Sequence, residues 1–263
     1  QNWWVVYVAL RNVALTSAWT GRLDQAVATS DEAVHFSGRL GDALVERNPR
    51  DSGRRAALLR SAGRLGEALT LLQDACAVLK HGGSDYWLAF CADQMALLHA
   101  DLGQPGRARD LLGQDVHSLP PEAAISRWIT KSREARAAGN RPLAASNEAL
   151  QAINDPACPA RWMMLGMLES ARDIDPERAL ALCRHVDEQA QKHGHAGIGL
   201  HAVALAADRA AQSGDVASAG TLASQALSLA RHVWPVGMSV PEVMLCLQRG
   251  FSAADNMAGA DEA

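Results

Sequence analysis

The side chains with the most chemistry to offer are four histidines, His185, His193, His195 and His201. His185 and His193 lie eight apart on one helical face, and imidazoles gathered this way can begin a metal site. Gly194 and Gly197, however, put His193 and His195 in a turn, and no carboxylate or cysteine joins them at ligand spacing. They read as exposed or capping histidines, and no metal is expected. Five cysteines, Cys76, Cys91, Cys158, Cys183 and Cys246, are odd in number and never form a CxxC pair. That is the pattern of small buried hydrophobes in a reducing compartment, not of a disulfide framework or a zinc site. The sequence contains no GxxxxGK[ST] loop, no GxSxG turn, no HExxH pair and no aspartate pairs suited to magnesium–diphosphate. A binding protein is therefore expected, with no catalytic residue and no cofactor.

The basic residues are unusual in kind. Only Lys80, Lys131 and Lys192 are lysines among 25, so 22 are arginine. A GC-rich coding sequence accounts for this most simply, although guanidinium also brings bidentate recognition of carboxylates and phosphates. The formal net charge of −4 gives no reason to expect direct nucleic-acid contact or attraction to an anionic membrane. Charged or amide residues interrupt every apolar stretch short of about 18 residues, so no membrane span is indicated. Of the seven tryptophans, Trp3, Trp4 and Trp19 are expected to mark an interface of the first helix with a preceding N-terminal domain, while Trp87, Trp128, Trp162 and Trp234 read as core.

The elements that must position these side chains are helical, because Ala and Leu dominate the composition, the aromatic fraction is 5%, and Ala, Leu, Arg, Gln and Glu lose little on entering a helix. A turn motif repeats. Gly21-Arg-Leu-Asp-Gln-Ala26 returns as Gly63-Arg-Leu-Gly-Glu-Ala68, then more loosely from Gly103, Gly139 and Gly214, with degenerate copies at Ile174 and Asp255. The steps are 42, 40, 36, 35, 40 and 41 residues, too even for chance. Glycine can take the left-handed conformation that ends one helix, and the alanine five positions later lets the next helix cross closely. Small residues also recur seven before the anchor, at Ala14, Ala56, Ala96, Ser132 and Ala207, with Met167 in the degenerate copy. Three copies carry Ala33, Ala75 or Ala226 seven after the crossing alanine.

This spacing of small residue, glycine, alanine and alanine resembles the tetratricopeptide (TPR) helix–turn–helix. Trp128 falls on the family's first-helix aromatic position, and Pro120 and Pro156 on its inter-repeat proline. The units exceed the family's usual length, and the longer ones share a glycine about 20 residues before the anchor, Gly41, Gly83 and Gly194. Such units look like the arrays that close large bacterial regulators, including signal-transduction ATPases related to the maltose-regulon activator. The resemblance implies an all-α, α–α superhelix, a right-handed solenoid of six to seven hairpins forming one repeat domain over residues 1–263.

First helices are predicted over 3–20, 42–62, 84–102, 121–138, 157–173, 196–213 and 240–254. Their partners are predicted over 22–37, 65–81, 105–118, 141–153, 176–193 and 215–233, with a stub from 257. Pro121, Pro176 and Pro241 suit first turns, and Asn48-Pro49 with Ser52-Gly53 predicts an irregular loop over 46–54.

In TPR arrays the first helices line an inner groove. Carried over by position, the resemblance puts Arg11, Asn12, Arg54, Arg60, Phe90, Asp93, Arg133, Arg136, Arg161, Leu165, His201 and Asp208 on that groove. Arginines in its middle, flanked by carboxylates, suit an acidic peptide, a C-terminal carboxylate or a phosphorylated segment. The family's two-carboxylate clamp is absent, which disfavours a chaperone-tail adaptor. The chain opens on Gln1 and stops within a second helix, so a piece of a longer chain is expected. The leading expectation is a cytoplasmic sensor or interaction module of a bacterial transcriptional regulator, binding a protein partner or small effector. The alternatives are a free-standing scaffold that self-associates, for instance as a homodimer, and an α-helical metal-dependent enzyme built on the histidines near 185–201.

Overall fold

The anchor glycines do what their spacing requires. Gly21, Gly63, Gly103, Gly139 and Gly214 all have φ between 69° and 79°, the left-handed region that a side chain strains to enter. At Gly63, Gly103 and Gly214 the residue after the glycine donates its N–H five residues back. Arg64 reaches Leu59 at 2.9 Å, Gln104 reaches His99 at 2.8 Å and Asp215 reaches Ala210 at 3.0 Å. These are Schellman closures, which satisfy helix-end carbonyls that would otherwise lack partners.

A computed structural model describes residues 2–37, 40, 49–81, 85–112, 121–139 and 153–254. The described residues form twelve α-helices: α1 (Trp3–Trp19), α2 (Leu23–Ser37), α3 (Pro49–Ser61), α4 (Leu65–Lys80), α5 (Asp85–Asp101), α6 (Pro105–Leu112), α7 (Pro121–Ala137), α8 (Ala160–Ala171), α9 (Pro176–His193), α10 (Ala196–Ser213), α11 (Val216–Ala230) and α12 (Val240–Ala253). Among these residues there is no strand. The predicted helix at 141–153, the stub from 257, and Gly41, Gly83 and Pro120 lie outside the described residues, apart from Ile153.

One prediction is corrected. The irregular loop expected over 46–54 is helical from Pro49 onward. Pro49 opens α3, where its missing N–H costs nothing, and Asp51 follows in the first turn, favoured beside the positive end of the helix dipole. Gly53 sits inside the helix because Phe90 presses on it: a β-carbon there would stand 2.7 Å from the Phe90 ring.

The chain divides into two units. The first holds residues 1–17 and 23–157, the second residues 18–22 and 158–263. In the first unit α3/α4 and α5/α6 form hairpins, and α5 also packs on α3, α4 and α7. Its core joins Ala56, Leu59, Ala68, Leu72, Cys76, Cys91 and Leu98. In the second unit α8/α9 and α10/α11 form hairpins, with α12 on α10 and α11.

The small residues of the repeat are buried at these crossings: Ala14, Ala56, Ala96, Ser132 and Ala207 before the turn, and Ala26, Ala68, Ala108, Ala179 and Ala219 after it. Met167, in the degenerate copy, is half-buried. That copy lacks a glycine and ends α8 at Arg172 in right-handed geometry. Asp175 restores order by accepting from the Glu177 and Arg178 N–H groups ahead of Pro176. Ser239 and Glu242 form a reciprocal capping box at the start of α12. All five cysteines are buried thiols outside any disulfide, and no described helix is long and apolar enough to cross a membrane.

Candidate functional site

Helical spacing gathers the polar groups of the first unit. Tyr7, Arg11 and Ala14 follow one another at steps of four and three along α1, and so share a face. Opposite them Asp51, Arg54, Arg55 and Leu58 come from successive turns of α3. The Tyr7 phenol donates to Asp51 Oδ2 at 2.8 Å. Arg11 Nη1 donates to both Asp51 oxygens, at 3.2 and 3.1 Å, and Arg54 Nη1 stands 3.8 Å from Oδ1. Burial, reinforced by the hydrogen bond to Asp51, holds the Tyr7 phenol protonated well above its ordinary range. One carboxylate thus organises a phenol and two guanidiniums.

Beside this cluster Arg55 pairs with Asp31 at 2.8 Å, and Arg64 reaches the same carboxylate at 3.1 Å. Arg64 also forks Glu67 through Nε at 2.7 Å and Nη2 at 2.6 Å, and this hydrogen bonding keeps the exposed Glu67 carboxyl below its usual range. The four helices α1–α4 line a half-open cavity of about 410 Å³. Tyr7, Arg11, Asp51 and Arg54 form its polar end, while Leu15, Val34, Leu58, Leu71 and Val78 supply apolar wall. The exposed carboxylate of Asp74 also faces it.

Of the side chains expected in a groove, the structure brings Arg11 and Arg54 together at this cavity. Asn12, one residue from Arg11 and about 100° round the helix, is exposed to solvent instead. Arg60 pairs with Asp101 at 3.2 Å. Phe90 packs edge-on to Trp87 at 5.6 Å, and Trp87 is half-buried against the core of the first unit. Asp93 is buried, 3.8 Å from Arg127; burial raises its carboxyl to about 7, against the opposing pull of Arg127 and Lys131. Arg133 is buried, and Arg136 donates to the Ser132 hydroxyl at 3.0 Å.

In the second unit, Arg161 stacks over the Trp19 ring at 5.0 Å and Leu165 is core. His201 is buried with Nδ1 against the Val236 carbonyl at 3.1 Å. Asp208 is buried, accepting from Gln212 at 2.9 Å and Arg249 at 3.2 Å.

The histidine run disperses in the same way. The His193 and His195 rings lie 6.4 Å apart, and burial followed by the nearby Arg161 charge lowers the His195 pKa. Among the described residues no group of three or more His, Cys, Asp or Glu side chains is arranged to hold a metal.

The tryptophans divide. Trp128 is buried as expected. Trp234 is not core: it is 37% exposed, in the stretch between α11 and α12, where its backbone N–H donates to the Gly21 carbonyl. Trp162 is half-buried and meets Trp19 edge-on at 5.8 Å. Trp3 stacks on Phe36 at 5.5 Å, leaving Trp4 as the exposed ring of α1.

Sequence reasoning missed Tyr7, Asp51, Arg55 and Asp74. The available signal was the spacing of Tyr7, Arg11 and Ala14, which places a phenol and a guanidinium above a repeat alanine.

Among solved structures the chain is similar to a signal transduction ATPase with numerous domains that carries a tetratricopeptide repeat sensor, from Pyrococcus horikoshii. The match has a TM-score of 0.55 at 14% sequence identity, and covers 97% of this chain and 37% of that one. This chain thus spans little more than a third of that protein's length. No family model matches the sequence, and neither does any curated protein. At this identity the likeness is one of fold: an all-α array of tetratricopeptide-type hairpins.

Proposed function

We propose that this chain is an interaction module, taking up a protein partner or an effector as the sensor segment of a larger bacterial transcriptional regulator in the cytoplasm. The observation that carries this reading is the likeness, over 97% of the chain, to an array whose own description is a tetratricopeptide sensor attached to a signal-transducing ATPase. The Arg11 and Arg54 guanidiniums at a half-open cavity support it, because they offer the chemistry for an acidic partner or effector. The deciding experiment is to read the coding sequence on both sides of these residues. A nucleotide-binding or DNA-binding domain in the same frame is expected; a frame that begins and ends at these residues overturns the regulator reading.

A specific observation favours a second reading, a self-associating scaffold. Trp4, Val5 and Val13 are 47%, 58% and 46% exposed along α1, and apolar surface of this kind is commonly covered by a partner. Light scattering on the natural full-length protein separates the two readings, since a scaffold is an obligate oligomer at every concentration that can be measured.

A further inference from the structure

Residues 231–239 join α11 to α12, and the middle of this link lies across the second unit as a bound peptide would. Two alternate residues pair through their main chains. The Trp234 N–H donates to the carbonyl of Gly21, which belongs to the same unit, at 2.8 Å, and the Val236 N–H donates to the Gly197 carbonyl at 3.0 Å. The Val236 carbonyl is in turn 3.1 Å from Nδ1 of His201, a side chain only 2% exposed. Donors two residues apart that face one side belong to a segment held by its backbone, the way an extended peptide is recognised.

The surface beneath is shaped to this segment. A β-carbon on Gly197 would stand 2.6 Å from the Val236 side chain and 2.7 Å from the Trp234 carbonyl, and one on Gly21 would overlap Val233. Gly237, at φ 79°, brings its backbone against Leu165 and the His201 ring, where a side chain would collide with Leu165. Leu165 of α8 and His201 of α10 are two of the positions that the tetratricopeptide resemblance places on the inner groove. That stretch of groove already has an occupant.

The helices on either side do not depend on the occupant for their ends. The His232 and Val233 N–H groups close α11 on the Leu229 carbonyl at 3.0 and 2.9 Å, and the Ser239 and Glu242 capping box opens α12. Between these closures Met238 is buried, but Pro235, Val236 and Gly237 are only half-buried and Trp234 is largely in solvent. Lifting the segment away therefore breaks a few named contacts and leaves both helix termini satisfied.

We propose that residues 233–238 are an autoinhibitory strap that fills the groove of the second unit in cis, and that a partner segment of the same kind displaces it. Such a segment is extended and carries an aromatic residue, a proline, a branched aliphatic and a glycine in that order. The inference rests on the interaction-module reading, and names both what keeps the module closed and the peptide chemistry that opens it. Because the strap is tethered, its effective concentration is on the order of millimolar, and a free peptide meets only the fraction of chains whose groove is open.

The test is fluorescence anisotropy of a labelled peptide copying residues 232–239, added to the whole 263-residue chain and to its Gly237→Ala and Val236→Asp variants. Both substitutions alter the strap and leave the groove as it is. Each variant should bind the peptide at least about tenfold tighter than the unaltered chain, and a scrambled peptide should bind none of the three. Hydrogen exchange should show the Trp234 and Val236 amides losing protection in both variants while α8, α10 and α12 keep theirs. Equal affinity across the three chains, equal binding of the scrambled peptide, or no binding to a variant whose two amides are deprotected each overturns the proposal. So does retained protection of those amides in both variants. Loss of protection throughout α8–α12 in both variants overturns it as well, since residues 233–238 would then be core and not an occupant. The module reading is judged separately, by the flanking coding sequence, which these measurements do not touch.

Discussion

Helix α10 in the second unit buries 13 of its 18 residues, whereas α1 buries three of 17, and of those three Tyr7 and Ala14 face the cavity. Both helices carry the same small residue seven positions before their turn, Ala207 and Ala14, and both of these alanines are buried. The difference lies in what surrounds them. Around α10 the neighbours are also small: a β-carbon on Gly250 would stand 3.0 Å from the Ala223 β-carbon and 3.1 Å from the Ala219 carbonyl, so α12 lies almost backbone to backbone on α11. At α1 the contact with α3 runs through long polar side chains, Tyr7 and Arg11 of α1 meeting Asp51 beside Arg54 of α3, and these hold the helices apart. A repeat signature therefore sets where helices turn and cross, and residues outside it decide whether a crossing is solid or hollow.

Leucine deletions should expose this difference most strongly. Leu205→Ala in α10, at 1% exposure, should cost about 3–5 kcal/mol, and Leu58→Ala on the cavity wall nearer 2 kcal/mol, because only the first opens new empty volume. Urea denaturation midpoints at equal m-value measure both, and equal losses would break the contrast.

The two buried aspartates come next. Asp93 has Arg127 at 3.8 Å and no hydrogen bond to Oδ1, while Asp208 holds Gln212, Arg249 and, at 3.6 Å, Arg209. Asp208→Asn should cost about 2–3 kcal/mol near neutral pH. Asp93 behaves oppositely, since its folded-state pKa is raised from 3.8 to about 7 by burial. The folded chain then keeps a proton that the unfolded chain releases above pH 4. Stability falls as pH climbs from 4 towards 7, by on the order of 3 kcal/mol, and the loss persists above 7. Asp93→Asn should flatten that slope in melting curves recorded from pH 4 to 8.

Overpacking gives a smaller contrast. Ala207→Val should cost about 1–3 kcal/mol, because nothing around it can move, while Ser30→Leu at the cavity should cost less than about 0.5 kcal/mol. A further modest effect tests the start of the last described helix. Ser239→Ala removes the capping box of α12 and should cost about 1 kcal/mol, read as a lowered melting midpoint.

Much of this fold was legible in the sequence because glycine and alanine do stereotyped jobs at a hairpin. Gly63 and Ala68, or Gly214 and Ala219, announce a helix end and a close crossing wherever they fall at that spacing. Pro49 misled for a local reason: proline breaks a helix that it interrupts and starts one that it precedes, and spacing alone does not distinguish the two. The candidate site was harder to see. Arg11 and Arg54 could be reached by analogy of position, but Asp51, which joins them, sat in a stretch read as loop, and Tyr7 in a stretch read only as apolar. Positions such as Asp93, Arg133, His201 and Asp208 face neighbouring helices that are wide enough here to bury them, a consequence of three-dimensional packing that carries no local signature.

The Schellman closures have a kinetic consequence. At Gly63, Gly103 and Gly214 the turn is closed by a hydrogen bond that spans only five residues, so these hairpins can form from their own sequence before any distant segment arrives. A chain assembled from such self-closing pieces has low contact order and can begin to fold at any of its glycine turns. Adding or removing residues between hairpins then costs little, since the entropy of closing a connection grows only slowly with its length. The variation of the steps between 35 and 42 residues is what a repeat can accumulate when its pieces close on themselves.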